Sequence, residues 1–203
     1  MLQKRFPGVR AVATEGTIAH MKQQIEPAAF KASWGTQFPG QIDTEFVLAD
    51  PLPRNGEFQL ESHVLKAIEV GHSDTHDTTV LWVPDLKLAV CGDVVYGDVY
   101  CMLGAANTKA LREEWIEAID KVAALRPEMV VPGHMKPGEL TDTFHLAATK
   151  QYIRDFGDVV GGGGKSARQI AGEMLKRYPT RFNQGALLVG AMAAANIGRK
   201  GKL

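Results

Sequence analysis

The spacing of apolar and polar residues changes twice along this chain. At residues 57–61 and 63–70 the two kinds partly alternate, the pattern of half-buried antiparallel strands. Residues 78–83 and 86–91 are more continuously apolar, and Pro84-Asp85 between them predicts a tight turn joining two buried strands. Met129-Val130-Val131 predicts a further short buried strand, and 44–48 reads as another. Residues 9–14 form a β-prone run after Pro7-Gly8, and 36–43 are rich in turn formers. Helical composition appears at 17–24 and 27–34. After Thr108, a suitable N-cap, Leu111, Trp115, Ile119 and Val122 recur on one helical face, and the helix must stop before Pro127. Residues 141–156 predict a second long helix. Ser166 caps a third, with Ile170, Met174 and Tyr178 on one face, and 184–196 predict an Ala-rich fourth.

Strands come first, then strand and helix alternate, then helices alone, which is the order of a layered α/β or α+β domain. The four glycines 161–164 form the one low-complexity segment. We expect a domain over 1–158, a Gly-rich joint over 159–165, and a helical extension over 166–203 packed on the same domain. The run from Val159 to Ser166 nearly matches a phosphate-binding loop. It has Val159 where that loop needs glycine, and the segment before it reads as helix, not strand.

Composition narrows the function classes. Among 203 residues, 45% are hydrophobic, and 23 Lys and Arg balance 23 Asp and Glu. A neutral chain has no electrostatic case for nucleic acid or an anionic membrane. Two cysteines, Cys91 and Cys101, are too few for a disulfide framework, and Cys91 reads as a small buried hydrophobe. No apolar run reaches spanning length, and residues 1–7 do not read as a signal peptide. A cytoplasmic protein is the expectation.

Three residues each stand at the end of an apolar run, where α/β folds present functional groups. His72 follows Ile68-Glu69-Val70-Gly71, Asp93 follows Cys91-Gly92, and His134 follows Val131-Pro132-Gly133. Two imidazoles and a carboxylate suit a borderline metal such as zinc, and the neighbouring glycines let backbone approach closely. His72 and His76 have helical spacing, but Ser73, Asp74, Thr75 and Asp77 are weak helix formers and a β-rich run follows. His76, Asp74 and Asp77 are therefore read as loop groups around the site. His20, His63 and His145 have no ligand-like context.

Gly71-His72-Ser73-Asp74-Thr75, Asp77-Thr78-Thr79-Val80-Leu81, then Gly92-Asp93-Val94-Val95-Tyr96, then Pro132-Gly133-His134 resemble a bacterial and fungal branch of the metallo-β-lactamase-fold hydrolases. The stretches 5–14 and 174–187 resemble the same branch, so the resemblance runs from about residue 5 to about residue 190. It implies a four-layer αββα sandwich with two zinc ions at one edge between the sheets. It implies His72 as a ligand of the first zinc, Asp93 as the bridging ligand and catalytic carboxylate, and His134 as a ligand of the second zinc.

The family's main ligand motif, His-x-His-x-Asp-His, is absent from this sequence. Neither zinc reaches four ligands, or three plus water, from His72, Asp93 and His134 alone. We therefore expect a sandwich incomplete at its N-terminus, with partial or absent zinc. The hydrolysis expected is of a lactone, thioester, amide or related small substrate, and it should be impaired. The alternatives are a metal-poor pseudo-enzyme, a pairing module of the same fold, or a fragment. A sheet lacking its covering layer is also expected to pair, with a second copy or a partner chain.

Overall fold

The structure, a computed structural model, describes residues 2–161 and 163–200, the last four by backbone alone. Five strands form one sheet in the order β3-β4-β5-β6-β7: β3 Glu57–Leu60, β4 His63–Gly71, β5 Thr78–Val83, β6 Leu88–Tyr96 and β7 Met129–His134. The first four are successive antiparallel neighbours, and β7 joins β6 in parallel. That parallel step needs a crossover, and helix α4, Lys109–Ala124, makes it. Thr108 caps α4 by accepting from the Leu111 amide at 3.2 Å.

Pairing divides the sheet residues between two faces. Ile68 with Val80, and Trp82 with Ala89 and Val130, lie on the face that α4 and α5, Phe144–Gly161, cover. Trp115, Ile119 and Val122 from α4 and Ile153 and Phe156 from α5 are fully buried there. Each large side chain so buried contributes about 1.5–3 kcal/mol. Helices α6, Ala167–Arg177, and α7, Gln184–Lys200, add Met174, Leu187 and Ala191 to the same core. A capping box between Ser166 and Gln169 starts α6. Cys91 and Cys101 are free and buried.

The opposite face carries the row Ala67-Leu81-Val90-Val131, flanked by Val83, Leu88 and Met129. The first fifty residues lie partly against it. They hold α1, Leu2–Arg5; β1, Val12–Ala13; α2, Glu15–Ile25; and α3, Pro27–Phe30, followed by a wide turn at Lys31–Gly35. β1 pairs in parallel with β2, Asp50–Pro51. Residues Val12, Thr17 and Leu52 share a cleft of about 270 Å³ with Phe58, Ala67 and Leu81. Toward the β6–β7 side, Val90 remains 36% and Met129 43% exposed.

Three expectations need correction. Residues 44–48 form no strand, since no neighbour offers them a ladder. α5 starts at Phe144 and reaches Gly161, because burial of Val159 carries the helix past residue 156. β6 runs to Tyr96, so Asp93 lies within a strand. Gly162, in the Gly-rich joint, is outside the described residues. A helix precedes this glycine run where a phosphate loop requires a strand. Among the described residues no helix is long and apolar enough to cross a membrane.

Candidate metal centre

β4 and β6 are each antiparallel to β5, so they share a direction, and β7 is parallel to β6. The C-terminal ends of all three strands therefore face one end of the sheet. His72 follows β4, Asp93 lies in the second half of β6, and His134 closes β7. All three stand at that end.

The local backbone explains how they leave their strands. Gly71 and Gly92 adopt φ of 95° and 51°, and the strand register shifts at both. Such irregularities turn the following residue out of the ladder, and glycine takes positive φ without strain. Gly133 serves a different need. A Cβ there would collide with Asp93 Oδ1 and with the Gly92 backbone.

Asp93 and His134 touch, with Nε2 3.3 Å from Oδ1. The Tyr96 ring stacks against His134 at 5.5 Å and 27°. Tyr96 is 1% exposed and its hydroxyl has no partner among the described residues. Burial, reinforced by the charges of Asp93 and Asp74, pushes that phenol far above its ordinary range, so it stays protonated. Asp74 is raised to about 6, first by burial, while a hydrogen bond from Ser73 opposes the rise and Asp93 adds to it. The Ser73 hydroxyl lies 2.9 Å from Asp74 Oδ1. His72 Nδ1 is buried without a partner among the described residues, and burial lowers the pKa of this ring, with Glu114 opposing.

Several side chains fix this end of the sheet. Trp115 donates to the Val94 carbonyl at 2.9 Å, and Lys121 to the Val70 carbonyl at 2.7 Å. Thr149 bridges both backbone groups of Tyr96, at 3.1 and 3.0 Å. Glu139 accepts from the Asp98 amide at 2.7 Å and the Lys136 amide at 2.9 Å. It thereby ties the segment after His134 to the turn after β6. Arg181 donates to the Gly97 and Val99 carbonyls of the same turn. Nothing in the sequence singles out Thr149, Glu139 or Arg181, because their partners are 41 to 84 positions away.

The other histidines sort differently. His20 stacks on His76 at 3.9 Å, and its Nδ1 lies 3.1 Å from the His76 carbonyl oxygen, a contact between α2 and the 72–77 loop that sequence reasoning missed. His76 is paired with Asp77 at 2.6 Å and His63 with Asp85 at 2.8 Å. His145 is 1% exposed and donates to the Leu140 carbonyl at 2.7 Å.

The donor types suit zinc, but their geometry does not enclose one. Among the described residues no three His, Cys, Asp or Glu groups come close enough together to hold a metal ion. Asp93 and His134 form a pair, and His72 stands at the same end of the sheet without completing a set. As placed, the residues do not fit the two-zinc centre implied by the resemblance.

The family model of the metallo-beta-lactamase superfamily matches residues 2–134. This chain belongs to that superfamily. A metallo-beta-lactamase family protein from Thermus thermophilus has a similar solved structure, with TM-score 0.61 and 19% identity over 96% of this chain and 68% of that one. A metallo-beta-lactamase from Pontibacter korlensis matches with TM-score 0.50 and 20% identity over 76% of this chain and 61% of that one. This superfamily member thus spans about three-fifths to two-thirds of the length of those relatives. At such identities the likeness concerns the fold. No curated protein matches the chain.

Proposed function

We propose that this chain carries a partial metallo-hydrolase site, with Asp93 and His134 as the zinc donors that stand in contact and His72 as a third donor at the same end of the sheet that does not close on them. It acts weakly, if left to itself, on a lactone, thioester, amide or related small substrate. The observation that carries this reading is the Asp93–His134 contact at the C-terminal end of the sheet, with His72 on the same end. Superfamily membership supports the reaction class. Weakness follows from the count of ligands. Shared between two ions with Asp93 as the bridge, the three residues give each ion two protein ligands, one short of three plus water, and only Asp93 and His134 stand in contact. Displacement of a reacting group by about 1 Å can cost about a hundredfold in rate.

A second reading is favoured by the apolar row through Val90 and its exposed neighbour Met129. In it the chain is a metal-poor pairing module, and a second copy or partner chain covers the open face. One experiment separates the two. Zinc content is measured after dialysis, and hydrolysis of a generic ester and a lactone is followed with and without added zinc, in the wild type and in Asp93→Asn. The hydrolase reading expects sub-stoichiometric zinc and slow, zinc-stimulated turnover that Asp93→Asn abolishes. Turnover absent from both proteins would favour the pairing module. Near-stoichiometric zinc with strong turnover would show that other residues complete the site.

A further inference from the structure

Between α4 and α5, on the helical layer, lies a cleft of about 460 Å³ lined by Lys109, Arg112, Ile116, Ile153, Arg154 and Gly157 among others. Arg112 is 7% exposed, a rare state for a guanidinium. It makes no ion pair among the described residues. Its nearest partners are the Ala106 carbonyl oxygen, at 3.4 Å from Nη1, and the face of Phe156, with 5.9 Å from Cζ to the ring centroid. A neutral carbonyl and a ring do not replace the water that a buried cation gives up. Burial lowers the affinity of Arg112 for its proton, with Glu113 only partly offsetting this. Arg154 makes no ion pair among the described residues either. The carboxylates at the cleft are Glu113, already 3.5 Å from Lys109, and Asp158. A second cleft of about 230 Å³ shares Lys109 and Arg112 and adds Lys165, which is paired with Glu173 at 2.7 Å. Gly157, in the wall, is costly inside a helix by about 1 kcal/mol relative to alanine. Its lack of a side chain leaves room at Arg112, since a Cβ there would stand 3.4 Å from Nε.

We propose that the α4–α5 cleft binds a small organic carboxylate, with Arg112 taking the carboxylate and Ile116 and Ile153 the apolar part. A planar guanidinium offers paired N–H groups that match a carboxylate, and the pairing supplies the countercharge that Arg112 lacks. Arg154 at the mouth adds to the attraction. Two aliphatic side chains beside the cation favour an amphipathic ligand over a bare ion.

The probe is sodium octanoate, with inorganic phosphate and octan-1-ol as single-property controls. Binding to the full chain is read by titration calorimetry and by the shift in melting temperature. Octanoate is expected to bind and to raise the melting temperature, whereas phosphate and octanol at equal concentration do neither. Gly157→Val, which fills the cleft and keeps every charge, should weaken octanoate by about tenfold or more, as should Arg112→Gln. Circular dichroism checks that both variants fold. If Arg112→Gln does not fold, Gly157→Val and Arg154→Gln decide, the latter with a loss of a few fold. Octanoate that fails to bind at millimolar concentration would overturn the proposal. So would octanoate bound equally well by Gly157→Val, which would place it on the exposed sheet face. Phosphate that binds as well as octanoate would overturn the ligand class.

Discussion

At Gly133 a missing side chain sets the distance between two functional ones. Asp93 Oδ1 and the Gly92 backbone occupy the space a Cβ would need. Gly133→Ala must therefore push β7 from β6 or turn Asp93 aside, and either breaks the 3.3 Å contact with His134. Zinc affinity should fall at least about tenfold while helix content by circular dichroism stays unchanged. Unaltered zinc binding would remove Asp93 and His134 from the donor set. Asp74 gives a pH test. Its pKa is raised to about 6 from 3.8, chiefly by burial. A carboxyl with a higher pKa folded than unfolded binds its proton more tightly in the native state. Stability therefore falls as pH rises from about 4 through about 6, where the partly buried group must ionise. Asp74→Asn removes that cost above pH 6 and changes little below 4. In the metal-free protein it should add on the order of 2 kcal/mol at pH 7.5, a gain that vanishes near pH 4. A lower melting temperature at pH 7.5 would mean that the hydrogen bond from Ser73 outweighs the burial.

Among the elements, β6 is the one on which the site depends, and the helical layer holds it. Thr149 satisfies both the N–H and the C=O of Tyr96 inside the core. Thr149→Val keeps the shape and leaves two buried backbone groups unpaired. A loss of roughly 2 kcal/mol, or about 4–8 °C in melting temperature for a chain of this size, is expected, and Thr149→Ser should recover most of it. A valine variant that melts with the wild type would show that water replaces the hydroxyl. Elements of this kind were legible where local pattern and tertiary pairing agree. Alternation along 63–70 and the Pro84 turn marked β4 and the β5–β6 pair, and Thr108 and Ser166 marked helix starts. Residues 44–48 have the β-prone composition but no strand beside them, so propensity alone misled. The ends of apolar runs located His72, Asp93 and His134 at one end of the sheet. The clamps from Thr149, Glu139 and Arg181, and the His20–His76 stack, were not legible. Each joins positions more than forty residues apart, and no local rhythm encodes such a contact.

For the whole molecule the two sheet faces differ in kind. One is sealed by α4 and α5, with Val80, Ala89, Cys91 and Val130 at most 2% exposed. On the other, the N-terminal segments reach Ala67 and Leu81 but leave Val90 and Met129 in water. The continuous row Ala67-Leu81-Val90-Val131 crosses four strands, so the open part belongs to one apolar band. Burying such a band yields about 25 cal/mol for each Å² removed from water, and association must also offset lost translational freedom. With a formal net charge of zero, nothing electrostatic holds copies apart. The chain should therefore self-associate at tens of micromolar in light scattering and bind an apolar dye as it is diluted. Val90→Lys with Met129→Lys places two charges on the band without touching the sealed core. That double variant should shift the population toward monomer and lose dye binding, with its melting curve still cooperative. A wild-type chain that is monomeric at all concentrations and binds no dye would mean that residues 2–52 cover the face in solution more fully than their contacts here require. The pairing-module reading would then fall, leaving the partial hydrolase site as the account of this chain.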